Sequence, residues 1–204
     1  MPHIMIIHPE GNISNNPNLT GIVEILCDEG YKVDIYSPRL GHIAQVAPCA
    51  GAKLVLANMG AAPLSNAIAV LPIEMFQNGE TLSNYIANNI PHYDLIIGVD
   101  RGIIEASIIA KHQRVSYGLI SYEILFSEET GKDYLKLDID ASRDAAFAVC
   151  QDRVRSNHLS RENGIPLERI TDIPVAGRSA KQGERTFVLH EKLGLQPQTK
   201  IALY

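Results

Sequence analysis

His3-Ile4-Met5-Ile6-Ile7-His8, then Leu19–Glu29, Gly30 and Lys32-Val33-Asp34-Ile35-Tyr36, is the stretch whose reading decides the fold. The first run is almost continuously apolar and of strand length, the pattern of a strand covered on both faces. A polar loop leads away from it, Glu10-Gly11-Asn12-Ile13-Ser14-Asn15-Asn16-Pro17-Asn18. Leu19, Ile22, Val23 and Leu26 then recur at helical spacing, and Gly30 ends that stripe with the residue best suited to a left-handed cap. Lys32–Tyr36 returns as a second strand. Strand, loop, helix, glycine and strand make a βαβ unit, whose two strands are parallel and whose crossover is right-handed.

The alternation continues outward from this unit. It predicts strands at Lys53–Ala57, Leu71–Glu74, Tyr93–Val99, Arg114–Ser121, Phe147–Cys150 and Ile170–Pro174. Helices are expected at Glu80–Ile90, Gly102–His112, Ala141–Ala146, Arg153–Asn163 and Arg185–Leu193, with polar Phe126–Asp138 as a loop or exposed segment. Such a chain is an α/β protein with a Rossmann-like parallel sheet and helices on both faces. Its last residues, Lys200-Ile201-Ala202-Leu203-Tyr204, read as the start of a buried strand, an unusual place for a folded domain to stop. The expected organisation is a domain over residues 1–175, a linker over 176–184 and the opening of a further domain over 185–204. A length of 204 residues suits that division, since domains most often run ~100–150 residues.

Composition narrows the function classes. Hydrophobic residues at 46% and charged residues at 20% suffice for a sizeable core and exclude disorder. A net charge of −5 and a pI near 5.8 argue against nucleic acid or an anionic membrane as the main partner. Cys27, Cys49 and Cys150 show no metal-site spacing and read as free thiols in a reducing cytoplasm. The apolar start lacks the basic n-region and small-residue cleavage site of a signal peptide. Leu40–Ile73 carries one charge, Lys53, yet Pro48, Pro63 and Pro72 interrupt it too often for a membrane-spanning helix. It reads as buried or partner-covered, and a lipid-linked acceptor is one such partner.

Ligands of open parallel sheets bind at the carboxyl ends of the strands. After the first strand, Gly11 and Asn12 would let a phosphate or sugar approach the backbone, and they serve equally as a plain turn. The Gly-x-Gly-x-x-Gly fingerprint is absent, so NAD or FAD binding is not supported. Asp100-Arg101-Gly102 follows the Tyr93–Val99 strand. Asp100 is suited to accept a hydrogen bond from a substrate hydroxyl or act as a base, or else to cap the next helix. Tyr122 and Glu123 follow the next strand, and Gln151, Asp152 and Arg153 the one after. Arg153 and Arg155 suit a phosphate, or a solvated helix face. His8 reads more simply as a core residue than as a catalyst.

In order, these segments resemble the N-terminal domain of GT-B fold glycosyltransferases, in particular their large retaining family four. The resemblance is carried by His3–Ser37, by Gln151–Pro174 with Arg161-Glu162-Asn163-Gly164-Ile165-Pro166, and by Glu191-Lys192-Leu193-Gly194-Leu195 leading to Lys200–Tyr204. It implies an enzyme that moves a sugar from a nucleotide-sugar donor to an acceptor hydroxyl. The acceptor would be held by this half and the nucleotide by a second domain bearing the family's Glu-x7-Glu motif. The expected site is then Asp100 as the catalytic carboxylate, with Gly11, Asn12, Arg101, Gly102, Tyr122, Glu123 and Arg153 binding substrate. No metal and no cofactor besides the donor is implied. The expected location is the cytoplasm, with the inner membrane face as a peripheral option. Two other readings stay open: a noncatalytic binding subunit of a two-chain glycosyltransferase, and half of a sugar-nucleotide epimerase.

Overall fold

The computed structural model describes residues 1–9, 13, 16–38, 46–57, 87–124, 132–174 and 187–200. The opening unit is as the sequence reads: β1 is His3–Ile7, α1 is Pro17–Asp28 and β2 is Lys32–Pro38. The Asn16 side chain accepts the N–H of Leu19 at 3.1 Å, and Pro17 takes the first helical position. A polar cap followed by a residue already fixed near helical φ is a favourable way to start a helix. Gly30, at φ 86°, turns the chain back into β2.

Five further strands follow, β3 Ala52–Ala57, β4 Leu95–Val99, β5 Ser116–Ile120, β6 Phe147–Cys150 and β7 Ile170–Asp172. The helices are α2 Ile103–Gln113, α3 Lys132–Arg143, α4 Arg153–Asn163 and α5 Val188–Leu193. The seven strands form one sheet in the order β3-β2-β1-β4-β5-β6-β7. Every pairing is parallel. The fold is α/β and Rossmann-like, as the sequence predicts.

The alternation of side chains along β1 explains why its sequence is apolar throughout. Ile4 and Ile6 join Leu19 and Val23 of α1, with Val33, Ile35, Ile97 and Val99, in one core. Met5 and Ile7 face the other side, in a core with Ile103, Ala106 and Ile109 of α2, Ala141 of α3 and Leu159 of α4. Helices therefore cover both faces of the sheet.

The second core contains one polar cluster. Asp34, only 8% exposed, accepts a hydrogen bond from the Tyr93 hydroxyl at 2.8 Å. The Tyr36 hydroxyl lies 3.0 Å from that of Tyr93, and His3 Nε2 lies 3.2 Å from Asp34 Oδ2. Burial, then the Tyr36 hydroxyl and the Asp34 carboxylate, push the Tyr93 phenol far above its ordinary pKa. It is thus a permanent donor to the carboxylate.

Three expectations need correcting. Phe126–Asp138 reads in the sequence as a loop or exposed segment, but α3 begins at Lys132 and runs to Arg143, while residues 126–131 lie outside the described residues. Lys136 pairs with Asp140 one turn on, which supports the polar outer face, and Ala141 and Ser142 are buried. The strands expected from Tyr93 and Arg114 start later, at Leu95 and Ser116, because Arg114 is instead the left-handed cap of α2 at φ 60°. The helix expected at Arg185–Leu193 is described as Val188–Leu193 with Phe187 as its cap, and residues 185–186 lie outside the described residues. The strand expected at Leu71–Glu74, the linker 176–184 and residues 201–204 lie outside the described residues, as do residues 80–86 of the expected Glu80–Ile90 helix. Among the described residues, no helix is long and apolar enough to cross a membrane.

Replacing Tyr93 by Phe removes the donor and leaves Asp34 buried with one fewer partner. Loss of such a bond to a charged group costs about 1–3 kcal/mol. Urea unfolding should show a lower midpoint at unchanged slope, and an unchanged midpoint would show that the cluster contributes nothing to stability.

Candidate functional site

In this strand order the chain leaves β1 and β4 in opposite directions, which opens a crevice at their carboxyl ends. The turn Asp100–Gly102 forms the β4 side of it. Gly102 lies so close to β1 that a Cβ there would stand 2.4 Å from the carbonyl oxygen of Ile7. Any side chain would lift the turn off β1. His8 is buried at the end of β1 and donates its N–H to the Tyr36 carbonyl at 2.8 Å.

Asp100 has φ 47°, one of two positive values among the described non-glycine residues, the other being the cap Arg114. Its carboxylate spans to the neighbouring loop. Oδ1 accepts the backbone N–H of Tyr122 at 2.6 Å and that of Glu123 at 2.9 Å. It does not cap α2: the cap position there is Gly102, with no side-chain hydrogen bond. That excludes the simpler of the two roles considered for Asp100.

The same loop is held from its other side. Arg155 donates from Nη1 to the Tyr122 carbonyl at 2.7 Å, and its Nε lies 3.5 Å from Asp152 Oδ2. Asp152 meanwhile caps α4 by accepting from Val154 N and Arg155 N. Further along the edge, Ser156 of α4 hydrogen-bonds Asp172 at the end of β7, with Cys150 Sγ 3.0 Å from the Ser156 hydroxyl. The carboxyl ends of β4 through β7 are thus laced together by side chains.

Tyr122 packs against the first core, and its hydroxyl is buried without a hydrogen-bond partner among the described residues. Burial, reinforced by the charge of Asp100, pushes its pKa well above the ordinary phenol value. Beside this loop lies a cavity of about 20 Å³, bordered by Asp100, Ser121, Glu123, Asp138, Asn163 and the apolar Leu119, Ile124 and Leu159. That volume admits one water-sized group, and the polar lining suits a hydroxyl. Asn163 Nδ2 donates to the buried Asp138 at 3.3 Å, and the Ser121 hydroxyl donates to the Glu123 carbonyl at 3.0 Å. No group of three or more His, Cys, Asp or Glu side chains is placed to hold a metal among the described residues.

A scan against family models and a search of curated proteins both find no match. Solved structures do match. HepE of Anabaena, in complex with UDP and glucose, superposes with a TM-score of 0.61 at 13% identity, covering 95% of this chain and 50% of HepE. UGT89C1 of Arabidopsis thaliana complexed with UDP gives 0.59 at 13% identity, covering 97% and 55% of the two chains. The calicheamicin glycosyltransferase CalG4 gives 0.52 at 10%, covering 86% and 53%. The likeness is one of fold. This chain spans about half the length of each of them.

The structure brings Asp100, Tyr122 and Glu123 into direct contact, with Arg101 half-buried and Gly102 buried in the adjoining turn. Arg153 stands exposed on the first turn of α4, and it is Arg155, two residues on, that reaches the loop. Gly11 and Asn12 lie outside the described residues. Sequence reading passed over Ser121, Asp138, Asn163 and the fully buried Glu105 in the first turn of α2. Only Glu105 left a signal, as an acid inside the apolar run Ile103-Ile104-Glu105-Ala106.

Asp100→Ala removes both hydrogen bonds to the loop and places Ala at a positive φ, whereas Asp100→Asn keeps an acceptor oxygen and tolerates that φ. Amide hydrogen exchange at Tyr122 and Glu123 should rise by about tenfold or more in the Ala variant, given ~1.5–3 kcal/mol for bonds to a charged group. The Asn variant should show a smaller rise. Equal exchange in wild type and Ala variant would show that the carboxylate does not hold the loop.

Proposed function

We propose that this chain is the N-terminal, acceptor-holding part of a GT-B glycosyltransferase that moves a sugar from a nucleotide-sugar donor to an acceptor hydroxyl. The reading rests on one observation above the rest. On a sheet shared with HepE, UGT89C1 and CalG4, the carboxyl-end loops of β4 and β5 are tied by Asp100 beside a polar cavity of hydroxyl size. HepE and UGT89C1 in complex with UDP, and CalG4 as a glycosyltransferase, support transfer from a nucleotide sugar.

In this reading Asp100 orients the acceptor hydroxyl, with Tyr122, Glu123 and Gly102 shaping the pocket around it. Gly11 and Asn12 would meet the donor phosphates, as the resemblance implies, and Arg101 and Arg153 add positive charge beside the β4 and β6 strand ends. A nucleoside diphosphate departs in this chemistry, so its growing charge needs donors and dipoles in a closed cleft. A second domain after residues 176–184 would bind the nucleotide and close that cleft. The expected outcome is transfer with retention at the anomeric carbon, in the cytoplasm, with no cofactor beyond the donor.

Two measurements test this. Full-length enzyme carrying residues 1–204 should release nucleoside diphosphate from a nucleotide sugar only when an acceptor is present. Asp100→Asn should then lower kcat/KM for the acceptor by about 100-fold, the usual scale for losing a positioned acid–base group. Unchanged kcat and KM would remove Asp100 from the mechanism, and acceptor-independent conversion of the nucleotide sugar would replace transfer by epimerisation. Separately, calorimetry on the 204-residue chain should find little or no binding of free UDP or GDP. Micromolar binding would put the nucleotide site on this half instead.

A further inference from the structure

The sheet has a second point of chemical interest at its opposite, amino-terminal edge. Cys27 lies in the last turn of α1, and Cys49 in the turn before β3, where its carbonyl accepts the N–H of Ala52 at 3.1 Å. Remote in sequence, the two side chains lie close enough for the Cys49 thiol to act on that of Cys27. Both are free and half-buried, and both pack against the same apolar core. The turn that carries Cys49 is pressed against the end of α1: a Cβ at Gly51, two residues on from Cys49, would stand 3.0 Å from both Cβ and Sγ of Cys27. Cys150, the third cysteine, is 1% exposed at the far end of β6 and serves as an internal control.

Burial first, then the hydrogen bond and charge of Cys49 and the charge of Asp28, push the Cys27 thiol up to about 12. Cys27 therefore stays protonated at neutral pH and is poorly suited to attack first.

We propose that Cys27 and Cys49 are a redox modification site that closes to an intramolecular disulfide under a small disulfide oxidant such as oxidised glutathione. The Cys49 thiolate attacks one glutathione sulfur, forming a mixed disulfide and releasing the first glutathione as thiolate. Cys27 gives its proton to solvent and attacks the Cys49 sulfur, and the second glutathione leaves. Two protein thiols and one glutathione disulfide become one protein disulfide and two glutathione thiols. The product joins the end of α1 to the turn that starts β3, the strand at one end of the described sheet. A cross-link there restrains the unfolded chain and lies away from the carboxyl-end loops, so it does not depend on the functional reading above.

The test is intact-mass analysis of the purified chain equilibrated across glutathione buffers, quenched with acid and alkylated under denaturing conditions. Oxidising buffers should give a species two hydrogens lighter, with one alkylatable thiol at Cys150 and a linked Cys27–Cys49 peptide. Dithiothreitol should reverse it, and the urea midpoint of the oxidised form should rise. Cys49→Ser should abolish the species, and Cys27→Ser should instead accumulate a glutathione adduct on Cys49. Three free thiols in excess oxidised glutathione, adducts alone, or a bridge through Cys150 in the wild-type chain would each overturn the proposal, whether or not either variant folds.

Discussion

A parallel sheet cannot leave a face in water, and β1 feels that constraint most, because it lies inside the sheet between β2 and β4. Its two faces belong to two separate cores, Ile4 and Ile6 to one and Met5 and Ile7 to the other. Each buried aliphatic side chain contributes roughly 1.5–3 kcal/mol relative to exposure, so this short strand organises much of the apolar burial on both sides. Parallel connection then requires a crossover after every strand, and all those crossovers deliver their loops to the same carboxyl edge. The position of the candidate site follows from how the core is covered.

What makes that edge more than a row of loops is a shared set of hydrogen bonds. The loop after β5 has its N–H groups bound by Asp100 from the β4 side and a carbonyl bound by Arg155 from the α4 side. Donors and acceptors of one short segment are therefore fixed by opposite charges on two neighbouring elements. Such an arrangement fixes the backbone of Tyr122 and Glu123 through contacts of the chain itself.

The sheet was legible in the sequence because β1 and β4 are almost continuously apolar and Gly30 and Gly164, at positive φ, end the helices that lead back to β2 and β7. Helix α3 was not, because its pattern is inverted: Leu137 is 50% exposed while Asp138 is 7% exposed and bonded to Asn163. A hydrophobic-periodicity reading assigns an inward acid and an outward leucine to a loop. Asp100, Tyr122 and Glu123 were legible as a set because strand ends are predictable in a parallel sheet. The choice between Arg153 and Arg155 was not, since residues two apart on a helix point in different directions. The contact of Cys27 with Cys49 is tertiary, and no spacing in the chain announces it.

The conformation of Asp100 carries the argument one step further. A residue other than glycine held at positive φ costs of order 1–3 kcal/mol. Two charge-assisted hydrogen bonds to Tyr122 and Glu123 return roughly 1.5–3 kcal/mol each, so the strained turn is affordable on its local contacts. A glycine at this position would relieve the strain and lose both bonds; an asparagine would keep the geometry and lose the charge. The residue present is the one that combines tolerance of the backbone with an anionic acceptor.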